Sequence, residues 1–131
     1  MANSYINVYK GTVTAGATDG TCVSTDGVYT EPISVTLNAT NNETKKIKLA
    51  IRCETGFTTV GDTTISDVND LNDRWKLCLT ENGTYADTLT ISTVINATNT
   101  IFWAQASSAD TETPTADRSV SFAVVATIAA V

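Results

Sequence analysis

Histidine is absent from this 131-residue chain. That removes the side chain most used for acid–base work near neutral pH and the commonest metal ligand. Basic residues are scarce as well, with 8 Lys and Arg against 14 Asp and Glu, giving a formal charge of −6 and a pI near 4.3. Nucleic acid is a poor partner for such a chain, because phosphate binding depends on clustered Lys and Arg. The start, Met1-Ala2-Asn3-Ser4, has neither the basic residues nor the apolar run of a secretory signal, so synthesis and retention in a cytoplasm are expected. The longest apolar tract, VSFAVVATIAAV, covers 12 residues, short of the roughly 18 that cross a bilayer. It is expected to be a buried last strand, with no membrane partner.

Three cysteines remain, Cys22, Cys53 and Cys78. An odd count in a reducing compartment predicts free thiols, and three separated cysteines without histidine do not make a zinc site. Four Asn-x-Thr sequons, at Asn38, Asn42, Asn82 and Asn96, read as accidents of composition without a secretion signal. Proline occurs only twice and glycine seven times, whereas threonine occurs 25 times. Threonine is β-branched and stiff at χ1, so the excess favours strands over helices.

The hydrophobic pattern agrees. Tyr5-Ile6-Asn7-Val8-Tyr9 alternates as a short strand and is followed by two Thr-Asp-Gly turns, at Thr18-Asp19-Gly20 and Thr25-Asp26-Gly27. Residues 1–30 are therefore expected to form an N-terminal arm of one or two hairpins. Beyond it, Ile33, Val35 and Leu37 alternate with polar residues. Ile47, Leu49, Ile51 and Cys53 then alternate with Lys46, Lys48, Ala50 and Arg52, the clearest two-residue period in the chain. Further strands are expected at Trp75–Thr80, Thr88–Ile95, Thr100–Ala106 and Ser119–Ile128, with a polar loop from Ser107 to Arg118. One turn of helix fits within Ser66–Asn72. About seven short strands, with turn signals every eight to twelve residues, describe an all-β, immunoglobulin-like β-sandwich over residues 31–131. Cys53 and Trp75 stand where an antibody-like domain would have them. The strand Thr100–Ala106 has no cysteine, so no inter-sheet disulfide is expected.

Catalytic patterns fail one by one. No Gly-x-Ser-x-Gly elbow, no histidine base and no phosphate-cradling glycine loop occurs. Asp62, Asp67, Asp70 and Asp73 fall close together, a density that would suit calcium. The fifth residue from Asp67 is Leu71 and the sixth is Asn72 rather than glycine, so an EF-hand loop is ruled out and a solvated acidic loop is expected. No cofactor and no enzymatic activity are expected.

Surface residues remain as interface candidates. Lys46, Lys48 and Arg52, beside Lys45 and with Arg74 and Lys76 near, form a cationic stripe on an acidic protein. It would either dock on an acidic neighbour or guard a strand edge against aggregation. Tyr5, Tyr9 and Tyr29, in the arm, are candidates for contact with a partner or for a satellite core where the arm folds back. Phe102 and Trp103 put two large rings on opposite faces of one strand, so one ring must leave the core side.

The stretches GTVTAGATDGTCVSTDG, PISVTLNATNNETKKIKLAIRCETGF and ATNTIFWAQASSADTE resemble small immunoglobulin-like proteins among the structural genes of tailed bacteriophages. The resemblance covers residues 11–57 and 97–128 and lies in style rather than in a diagnostic motif. It implies a virion component: a capsid decoration protein bound to the major capsid protein, often as a trimer, with a homo-oligomer expected. Related proteins sit on the tail or baseplate. A receptor- or glycan-binding adhesion module is the other function class that fits the residues.

Overall fold

A computed structural model describes residues 5–23, 33, 37, 43–68, 74–108 and 121–131. The described residues form eight strands and no helix: β1 (Ile6–Lys10), β2 (Thr21–Cys22), β3 (Thr44–Cys53), β4 (Phe57–Val68), β5 (Trp75–Cys78), β6 (Thr88–Ile91), β7 (Thr100–Ser107) and β8 (Ser121–Ala130). They make two antiparallel sheets, ordered β2-β1-β3-β7-β5 and β6-β4-β8, consistent with a β-sandwich. Residues 1–30, expected as an arm, supply β1 and β2, and β1 pairs with β3 from Ile6↔Cys53 to Tyr9↔Ala50.

The alternation in β3 works as the period predicts. Leu49, Ile51 and Cys53 enter the main core with Leu77 of β5 and Phe102 and Ala104 of β7. Ile65, Leu89 and Ile91 meet them from the other sheet. Phe102 is fully buried, and truncating such a ring typically costs about 3–5 kcal/mol. Trp75 and Phe122 join the sheets edge to face, with ring centroids 5.7 Å apart. Cys22, Cys53 and Cys78 are free thiols. Burial pushes the Cys53 thiol above its ordinary range.

Three expectations change. The span expected as an acidic loop is in part a strand: Asp62 and Asp67 belong to β4, the longest strand, while Asp70 and Asp73 lie outside the described residues. Thr59, Thr63 and Ile65 form its buried face, so threonine does there what an aliphatic residue does in β3. Ser66–Val68 end that strand rather than start a helical turn. The last strand, expected to be buried, is covered on one face only. It borders its sheet, with Phe122, Val124 and Ile128 against the core while Val125 is 68% exposed. The strand expected at Ile33–Leu37 lies mostly outside the described residues, though Ile33 packs against the main core.

The β4–β8 register shifts between Val60 and Thr64. Val60 pairs with Thr127 and Thr64 with Val125, so β4 carries extra residues there, a bulge. Gly61 takes the positive φ of +77° that the kink requires.

Candidate docking face

The outer face of the five-stranded sheet divides into a closed half and an open half. In the closed half Tyr9, Val13 and Ala50 are buried together, with Cys22 and Ile101 packed against them. The cover is the segment 11–20, which crosses the sheet after β1. Gly20, at φ +106°, brings its backbone so close that a Cβ would meet Val13 Cγ1 at 2.7 Å and Tyr9 Cβ at 3.0 Å.

Polar groups pin this segment down. Asp19 accepts hydrogen bonds from Thr14 N (2.8 Å), Thr14 Oγ1 (2.8 Å) and Asn99 Nδ2 (2.8 Å). Those donors hold its carboxyl below the usual carboxylate range, the Thr14 backbone N–H first among them. Asn99, itself buried, also exchanges backbone bonds with the segment, accepting from Gly16 N and donating to Ala17 O. Arg52 closes the arrangement. Its Nη1 donates to Asp19 O (2.8 Å) and Asn99 Oδ1 (2.7 Å), and its guanidinium lies 3.6 Å from the Tyr9 ring centroid. Glu54 accepts from Asn7 Nδ2 at 2.9 Å and from the Tyr9 hydroxyl at 3.5 Å. Burial raises the pKa of both the Tyr9 hydroxyl and the Cys22 thiol, so neither titrates readily near neutrality.

The open half follows along the same strands. Residues paired across an antiparallel sheet share a face, so two rows can be read from the register. Lys46 of β3, Gln105 of β7 and Lys76 of β5 form one; Lys48, Trp103 and Cys78 form the next. Neighbouring strands stand about 4.8 Å apart and rows on one face about 7 Å apart. Trp103 thus shares this face with Lys46, Lys48, Gln105 and Lys76 as its nearest row neighbours. Lys46 and Lys48 are exposed and Trp103 is half-buried. Lys46 Nζ donates to Asn82 Oδ1 at 3.4 Å and sits 5.6 Å from the Tyr85 ring centroid. Lys76 pairs with Asp87 at 3.0 Å. The turn carrying Gly83 covers Cys78, since a Cβ there would stand 2.5 Å from its Sγ.

The sequence-level candidates separate accordingly. Lys46 and Lys48 belong to the open half. Tyr9 and Arg52 come together, but inside the satellite core rather than on open surface. Tyr5 lies elsewhere, half exposed, its ring edge-on to Phe57 at 5.0 Å. Tyr29 is outside the described residues. Parity alone sets Phe102 and Trp103 on opposite faces without choosing between them; the structure buries Phe102 and turns Trp103 outward. Gln105, two residues on, gives no signal of its own. Asp19 shows in the sequence only as a turn residue, and Glu54 and Asn99 give no signal, because their partners are distant in sequence. Among the described residues no three Asp, Glu or Cys side chains converge as a metal site would need.

Comparison with protein families, with curated proteins and with solved structures finds no match to this chain.

Proposed function

We propose that this protein is a non-enzymatic structural component of a tailed-phage virion, an immunoglobulin-like β-sandwich that binds the outer surface of the head. Residues 31–131 form that domain and residues 1–30 extend it. The open half of the outer face carries the proposal: exposed Lys46 and Lys48 on the rows beside Trp103, with Lys76 neutralised by Asp87, on a chain whose formal charge is −6. A half-buried tryptophan beside cations is an interface anchor of the kind that dominates binding energy, with the neighbouring charge fixing partner and orientation. The matching surface is acidic, with an apolar depression for the indole. The major capsid protein is the partner that the family resemblance implies.

Co-sedimentation with purified phage heads tests it. The wild-type chain is expected to pellet with heads. A Lys46→Glu, Lys48→Glu variant is expected to stay in the supernatant while melting as the wild type does, because both side chains are exposed. Raising the salt should weaken the wild-type interaction. Pelleting with tails alone would move the protein to the tail or baseplate. Binding to a glycan array, with no binding to heads, would make it an adhesion module.

A further inference from the structure

Among the described residues four strands border the two sheets: β2 and β5 in one, β6 and β8 in the other. Three of these edges are short, with β2 two residues long and β5 and β6 four each. The β5 edge is also covered, because Leu77 exchanges both backbone hydrogen bonds with Ala86. By contrast, β8 is ten residues long. Its sequence, SFAVVATIAA, contains no charge, glycine or proline, the usual guards of a strand border. Among the described residues it pairs with β4 alone.

Its backbone groups can be sorted by direction. Val131 N–H bonds to Gly56 O at 2.9 Å, one step beyond the Phe57↔Ala130 pair. Alternation along the strand then turns the peptide groups of Ala129, Thr127 and Val125 toward β4. Those of Phe122, Val124, Ala126 and Ile128 face the open border. A row of aligned donors and acceptors of this kind is satisfied by another strand.

We infer that the open border of β8 is a strand-addition site whose occupant is β8 of a second copy, antiparallel about a two-fold axis at Val125. The pairing is self-complementary. It sets Val124 against Ala126, Phe122 against Ile128 and Ala123 against Thr127 of the other copy, with Val125 against its own equivalent. Core-side residues stay on the core side and outer residues on the outer side, so two three-stranded sheets become one of six. Val125 then occupies a non-hydrogen-bonded pair, where side chains approach most closely. That contact covers the apolar residue that is 68% exposed in the single chain. The self-matching register argues for this occupant, because it pairs core side with core side and outer side with outer side. Two chains of formal charge −6 repel overall, but the strands that meet carry no charge. The dimer is closed, since each copy has one such border among its described residues. The inference stands apart from the Lys46–Trp103 face, so either can fail without the other.

Analytical ultracentrifugation across the micromolar range tests it on the full chain. The wild type is expected to reach twice its 13.8 kDa mass as concentration rises. Val125→Lys places two cations against each other at the axis and is expected to abolish the dimer with an unchanged thermal melt. Val125→Cys is expected to form a disulfide-linked dimer on mild oxidation, above any cross-linking of the wild type, while Thr90→Cys on the opposite border does not. A wild type that stays monomeric, a trimer, or a Val125→Lys chain of undiminished mass would each overturn the inference. If Val125→Lys misfolds, the two cysteine variants decide.

Discussion

Arg52 stacks on Tyr9, its guanidinium 3.6 Å from the ring centroid, while the same group donates to Asp19 O and Asn99 Oδ1. One cation thereby joins β1, β3, the covering segment and the residue just before β7. Removing it with Arg52→Ala is expected to lower stability by about 2–4 kcal/mol, from the lost stacking and two charge-assisted bonds. Arg52→Lys should recover only part, because an ammonium lacks the planar fork. Urea unfolding of the three proteins measures this. Head binding, referred to folded protein, should stay unchanged.

Gly20 and Gly16 both hold a positive φ, but only Gly20 has close neighbours. Gly16→Ala is expected to cost about 1–2 kcal/mol, the backbone penalty alone. Gly20→Ala adds the collision with Val13 and Tyr9 and should cost about 1–3 kcal/mol more. Paired melting curves check the difference. Equal losses would mean that the covering segment lifts off at little cost.

Two buried threonines on β4 should respond with opposite sign. Thr59 Oγ1 accepts from Ile95 N at 2.8 Å, whereas Thr63 Oγ1 has no hydrogen-bond partner among the described residues. Replacing Thr59 by Val strands a buried N–H and is expected to destabilise by about 1–3 kcal/mol. Replacing Thr63 by Val removes an unpaired hydroxyl and should stabilise by about 1 kcal/mol. Chemical denaturation of both variants decides the signs.

The Asp19 carboxyl titrates below its usual range in the folded chain. Its stabilisation is therefore present above the ordinary carboxylate pKa and lost as pH falls through the lower, folded value. Amide exchange in residues 11–20 should show the segment opening in that acid window. Asp19→Asn should flatten this acid response and leave the segment more open at neutral pH. An unchanged acid profile in Asp19→Asn would assign the opening to another carboxyl.

How legible each part was follows from where its determinants lie. The two-residue period of Ile47–Cys53 placed β3 and its faces, and the same reasoning found β7 and set Phe102 and Trp103 on opposite faces without choosing which one meets the core. It missed β4, because Thr59 and Thr63 occupy core positions without looking apolar and the density of aspartates from Asp62 onward reads as a solvated loop. The neighbours β6 and β8 supply the pairing and apolar contacts that make that segment a strand. The threonine excess had already favoured strands, yet composition says nothing of which threonines face inward.

The sequence alone determined an all-β chain, free thiols in place of an antibody-like disulfide, and the parity that puts Lys46, Lys48 and Arg52 on one face. Tertiary structure decided what became of that face. Arg52 lies beneath a segment pinned by Asn99, whose side chain reaches Thr14 O, 85 residues away in sequence. Lys46 and Lys48 remain outside that cover, beside Trp103. Alternation is a local property, set by the pleat of one strand. Whether a face is covered depends on loop closure between distant residues, and no local period records it.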